Sequence, residues 1–271
     1  MGFSAPTPDT LLSDIVTELN IHIQWVEQCP DPQRVAEFSE EVCLQYRALA
    51  ICLFAGDADI DEFFHYLLHS PLTRKVHLVK ARHDGQGESA TMRASFVEPV
   101  LDAMAARQWK LAADVSGLSA PAWMEGSEYE DDFCYADFLR RLLQGQEDSS
   151  IGEVLARWRR ALESGVDQRL DVAESLLARD AVTFEENLRA LLRRREEEDC
   201  IMANPETRSQ LASELPFFPN RWISIEGLAL LALGERRGLV VEEDIEACPR
   251  IARDGRYAAF VMRGYPNQTL E

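Results

Sequence analysis

Basic side chains are scarce in this sequence. Its 271 residues carry 28 Lys and Arg against 47 Asp and Glu, a formal net charge of −19. Phosphate recognition needs clustered cations, so the balance argues against nucleic acid and against an anionic membrane surface as direct partners. It favours a partner protein with a basic surface, whose approach the long-range field would speed. Long apolar runs are also missing. The longest uncharged one lies around Leu228 to Leu233, well short of the roughly 20 residues that a membrane helix needs. The segment Met1 to Pro6 is neither basic nor apolar enough for an export signal, and Pro6 stands where a myristoylation motif has Ser or Thr. A cytoplasmic location is therefore expected. None of the six cysteines forms a Cys-x-x-Cys pair, and the expected state is a buried free thiol rather than a disulfide framework.

Period-two alternation is absent too, which removes the sheet-based classes. Helical periodicity recurs nearly everywhere. Thr7-Pro8 and Asp31-Pro32 each supply a cap followed by Pro in a first turn, and Pro30 separates the two helices they start. The first carries Leu12, Ile15, Val16, Leu19, Ile23 and Val26 as its apolar stripe; Gly56 is expected to end the second. A third helix starts near Asp59, with Ser70-Pro71 as a break or restart. Two helices follow over about 90–106, kinked or punctuated by Pro99, and 108–116. The stretch 118–132 is the least regular, and a helix resumes over 133–143. Capping boxes at Ser150–Glu153 and Thr183–Glu186 open two later helices, the second running to Glu198. Pro205, Pro216 and Pro219 mark a connector. Ser224 then caps a strongly apolar helix over 225–237 with Gly238 behind it, a last helix runs from Glu243 into Arg253, and the tail from Gly264 reads as loose. The expectation is an all-α protein: an irregular array of about ten helices packed as successive antiparallel hairpins, one domain over 1–271 with a possible subdivision near 145.

Chemistry-bearing patterns are few. His65 and His69 lie one helical turn apart, but Tyr66 occupies the place where a zinc protease has Glu, and an ordinary surface pair explains them. There is no Gly-x-Ser-x-Gly elbow, and Gly85-Gln86-Gly87 follows no strand, so it fails the test for a dinucleotide loop. No catalysis, cofactor or metal is implied. The informative feature is an acidic stretch interleaved with rings: Glu125, Glu128, Glu130, Asp131, Asp132 and Asp137 among Trp123, Tyr129, Phe133 and Tyr135. Rings within a charged rim are what an interface hot spot uses. Trp123, Glu125, Glu128, Tyr129, Glu130, Asp131 and Asp132 are the candidate contact residues; a solvated acidic loop with its rings turned inward is the alternative. Two other acidic runs compete. Glu196 to Asp199 closes a helix, against the dipole, whereas Glu242 to Glu246 falls at a helix start, where acids are favoured.

The segment Arg221-Trp222-Ile223-Ser224-Ile225-Glu226-Gly227, continuing through the apolar helix to Leu239, with Cys248-Pro249-Arg250-Ile251-Ala252-Arg253 after it, resembles the C-terminal signature of the immunity 49 family. That resemblance implies a helical, non-enzymatic protein that protects a toxin-producing bacterium by binding its cognate toxin effector. Within the signature, Glu226 would need a cationic partner, with Arg221, Arg250 or Arg253 in reach, and Trp222 would fill a helix joint; these residues read as fold-keeping. Occlusion of a toxin's active site or substrate groove, the toxin being a nuclease by the logic of charge, is the mechanism expected. A non-enzymatic helical-repeat scaffold for another cytoplasmic protein is the alternative. The oligomeric state is not legible.

Overall fold

A computed structural model describes residues 6–86, 89–202 and 217–258. Every regular element among them is helical, and ten helices have seven or more residues. The expected tail from Gly264, and Pro205 and Pro216 of the connector, lie outside the described residues.

Helices α1 (Pro8–Gln28), α2 (Pro32–Asp57) and α3 (Ile60–His83) pack in sequence as an up-and-down set. Their starts are chemically marked. The side chains of Thr7, Asp31 and Asp59 accept from the amides of Thr10, Gln33 and Glu62, so each first turn has a donor satisfied. Two stops differ from expectation. The second helix passes Gly56 and ends at Asp57, with Ala58 in the left-handed region at φ 54°. The third runs unbroken through Pro71. A proline there forfeits a backbone bond and costs about 3 kcal/mol in an isolated helix. Here it is offset by burial, since Phe63, Phe64, Leu67 and Leu68 beside it are wholly enclosed.

A single 3-10 turn (Ala90–Met92) replaces the expected start of a long helix. Pro99 then sits in the first turn of α4 (Glu98–Ala105), as an initiator rather than a kink, because its missing N–H is one the first turn leaves unpaired anyway. After α5 (Trp109–Leu118) comes α6 (Glu130–Leu143), three residues earlier than expected. Glu130, Asp131 and Asp132 occupy its first turn, where the amide ends of the helix favour negative charge. In α7 (Asp148–Ala161), Ser150 is inside the helix: its hydroxyl donates to Gln146 and accepts from Arg141 at 2.5 Å, so no capping box forms. Helices α8 (Gln168–Ala178) and α9 (Ala181–Met202) make the expected hairpin, but Asp180 caps the second in place of Thr183. Because α9 reaches Met202, the run Glu196–Asp199 lies within its length rather than at its end, and Glu198 pairs with Arg194 and Arg195.

A short α10 (Phe217–Asn220) leads to α11 (Ile225–Arg236), capped by Ser224 through the Gly227 amide at 3.0 Å. Nearly all of α11 is buried, and it packs against α4, joining the end of the chain to its middle. Gly227 is required by that closeness: a Cβ there would stand 2.5 Å from the Cys248 sulfur. The helix expected from Glu243 is absent. Residues 239–249 form a folded loop, and helix begins only at α12 (Arg250–Arg253), since Pro249 cannot continue a helix from behind. The acids at 242–246 are therefore not helix-start residues. Glu243 pairs with Arg189 and Asp244 with Arg250.

The main apolar core runs from Ala50 to Ala258 and crosses position 145, with Leu143 and Ile151 both in it. A smaller core joins α1, α2 and Phe218. Trp222 packs against both. Of the cysteines, Cys43, Cys52, Cys134 and Cys248 are buried as expected, whereas Cys200 is exposed and Cys29 half-buried. All six are free thiols.

Candidate functional site

The irregular stretch before α6 is an ordered turn held by its own acids. Glu128 accepts from two backbone amides, that of Ser95 at 2.9 Å and that of Met124 at 3.1 Å, and its main-chain carbonyl accepts from the Trp123 indole at 3.1 Å. Trp123 is half-buried, with the Arg157 guanidinium 5.9 Å from its ring. Glu130 pairs with Arg157 at 2.7 Å and Asp132 with Arg169 at 2.9 Å. Asp137 is buried between Arg140 and Arg141. Of the candidate contact residues, Glu125 and Tyr129 are exposed and Asp131 is half-buried, and none of the three has an ion pair among the described residues. Tyr129 is 78% exposed, high for an aromatic ring.

Beside this turn lies a cleft of about 1070 Å³. One wall is α9, whose Arg189, Leu192, Arg193, Glu196, Asp199 and Cys200 recur at the spacing of one helical face. The opposite wall holds Asp132 and Tyr135 of α6 with Arg169 of α8. Val97, with Glu98 and Leu101 of α4, lines it further, and Trp222 to Glu226 close it. Asp132, Trp222 and Glu226, read separately in the sequence, are thus brought together. The remaining candidates are not. Arg250 and Arg253 lie apart, around a second, smaller cleft, where Arg253 donates to the carbonyls of Cys248 (2.8 Å), Glu243 (3.1 Å) and Val241 (3.3 Å). They staple the 239–249 loop and do not serve Glu226. The cation beside Glu226 is Arg195, at 3.3 Å. That partner sits 31 positions away on another helix, beyond local reading.

Charge in the large cleft departs from that of the chain. Arg47, Arg169, Arg189, Arg193, Arg195 and Arg221 line it against Glu98, Asp132, Glu196, Asp199, Glu226 and Glu246. The signs balance there, in a protein of net charge −19. Most of these groups are held in place. Arg169 is clamped by Asp167 (2.8 Å) and Asp132 and lies 5.0 Å over the Tyr135 ring; burial opposes its charge, but those carboxylates win and raise its pKa. Arg47 donates to Asp102 at 2.7 Å and to the Glu98 carbonyl at 2.5 Å, and the Ser70 hydroxyl donates to the other Asp102 oxygen. Burial pushes Asp102 up to about 6 even with Arg47 beside it.

Other lining groups have no ion pair among the described residues: Arg193 and Arg221, and the acids Glu196, Asp199 and Glu246. The Tyr135 hydroxyl is buried beside the Glu226 carboxylate, and burial, then that neighbouring charge, raise its pKa well above 10. Oxygen Oε2 of Glu98 is buried and unpartnered. Arg193 is exposed on the cleft wall with no ion pair among the described residues. Sequence reasoning passed over Tyr135, Arg193 and Arg195 as cleft residues; the signal was the polar flank of α9 beside its buried Phe184, Leu188 and Leu191.

His65 and His69 face each other, Nε2 to Nε2, at 3.4 Å, and His69 stacks on Tyr46 at 4.8 Å. Among the described residues no group of three His, Cys, Asp or Glu side chains could hold a metal. Nor is any helix among them long and apolar enough to cross a membrane.

The described residues thus form an ordered helical array with a polar cleft and an acidic turn beside it. The family model described as Immunity protein 49 matches residues 81–252, and the chain belongs to that family. Membership implies an immunity protein acting against a bacterial toxin. No curated protein and no solved structure matches the chain.

Proposed function

We propose that this protein neutralises a cognate toxin effector by binding it directly, in the cytoplasm of the toxin-producing cell, with no bond-making step of its own. Membership of the immunity family carries the reading. The exposed Glu125 and Tyr129, with the half-buried Asp131, supply an acidic rim with one ring ready to be desolvated, the composition that suits a basic toxin surface. A toxin groove that handles nucleic acid would have that surface, and occluding it would stop the toxin. The test is co-expression. A cell carrying the toxin domain encoded beside this gene should grow when the full-length chain is supplied and fail without it. Equal death in both would remove the reading.

A further inference from the structure

We propose that the outer seam between α1 and α2 is a second contact surface for the toxin, one that receives a basic side chain at the Trp25 ring beside the carboxylates of Glu18 and Glu41. This rests on the immunity reading above and gives it a surface outside the acidic turn.

The first support is what the seam exposes. Asp14, Glu18, Ile21 and Trp25 recur at the spacing of one helical stripe on α1, and Phe38, Glu41 and Gln45 do so on α2. The two stripes touch. The Gln45 amide donates to Glu18 at 3.3 Å, Trp25 stands edge-on to Phe38 at 4.9 Å, and His22 stacks on the same ring at 5.5 Å. Trp25 is nonetheless 47% exposed and Ile21 46%. A tryptophan held by a neighbouring ring and still half in water is an anchor that a partner can desolvate at little cost in ordering. The second support is charge that the fold does not answer. Residues 6–46 hold eight Asp and Glu against a single Arg, Arg34. Of those acids only Glu40 has an ion pair among the described residues, with Arg74 and Arg93. Carboxylates gathered in this way repel one another, and an incoming cation relieves them. A ring beside them attracts the same cation through its face, a guanidinium best of all. The third is position. Glu40, two residues past Phe38, pairs with Arg93 at 2.6 Å, and the Ser95 amide donates to Glu128 of the acidic turn at 2.9 Å. The turn and the seam are thereby linked through few contacts, within reach of one partner of ordinary interface size. The seam also precedes 81–252, the stretch that the family model matches.

Calorimetric titration of the full-length chain with the adjacent-gene toxin domain, at low and at high salt, tests this, using W25A and the double reversal E37K/E41K, each also melted and sized alone. The expected result is tight binding by the parent that weakens with salt, a loss of about tenfold or more for each variant, and a shallower salt dependence for E37K/E41K, which melts no lower than the parent. Other results overturn the assignment. Variants binding within about twofold of a tight parent would leave the seam outside the interface while sparing the immunity reading. A loss in W25A alone would make the contact apolar instead of basic, and a loss in E37K/E41K alone would remove the ring from it. A dimeric parent that W25A turns monomeric would make the occupant a second copy of this chain. A parent that gives no heat at micromolar concentration would sink the immunity reading and the seam assignment together.

Discussion

The acidic turn and the cleft beside it carry opposite lessons. The turn holds a dense set of like charges, yet the fold answers most of them: Glu128 with two backbone amides, Glu130 with Arg157, Asp132 with Arg169. The cleft is balanced in sign, yet Arg193 and Arg221, with Glu196, Asp199 and Glu246, have no ion pair there among the described residues. A count of charges along the chain locates the first region and overlooks the second. What matters for binding is charge or hydrogen-bonding capacity left over after folding, and that depends on partners tens of residues away.

The largest effect should come from the buried support of the cleft. Asp102→Ala would leave Arg47 without its carboxylate and Ser70 without its acceptor, and breaking such a pair typically costs about 3–5 kcal/mol. Urea unfolding should show it; a loss under about 1 kcal/mol would mean that the pair contributes little. Next is the turn. Glu128→Ala is expected to lower stability by about 2 kcal/mol, since two amides lose their acceptor. If its stability matched the parent, Glu128 would be a free contact residue and the contrast between the regions would weaken.

A smaller, pH-dependent term comes from His77 on α3. It is buried with Nε2 unpartnered, and burial lowers its pKa to about 4, Arg74 adding to the effect. The unfolded chain takes up this proton near 6.5 and the folded one only near 4, so stability falls as pH drops through that window. Burial shifts His69 the same way. Asp102 works against both, because its raised value makes its contribution fade as pH rises from about 4 toward 6. His77→Leu should flatten the decline between pH 6.5 and 4 in a series of melts; an unchanged slope would reassign it. The smallest effect is expected at Tyr129→Ala. So exposed a ring should change stability by no more than about 0.5 kcal/mol, while toxin affinity drops. A large fall in stability would place the ring in the fold instead of the interface.

Much of the architecture was legible because helix ends are local chemistry. Thr7, Asp31, Asp59 and Ser224 cap where their side chains say they should, Gly238 takes a φ of 86° just past α11, and the apolar content of α11 foretold its burial. Local signals misled where tertiary contacts overrode them. Pro71 is carried inside a helix by the packing around it, and the Ser150 box is displaced by Arg141. The binding surfaces were only half legible. Asp132 stood out by composition and Trp222 and Glu226 through the family resemblance, but the cleft joining them exists only once α6, α9 and α11 are folded together, and Tyr135 counted as just another ring among acids.

Hydrogen–deuterium exchange on the purified complex with the toxin domain tests the central claim most directly, because it reads the acidic turn and the α1–α2 seam at once. The account predicts slowed exchange over 123–132 and over the seam at 18–41, with the 239–249 loop unchanged. Protection confined to that loop, or absent from both regions in a complex that forms, would contradict it.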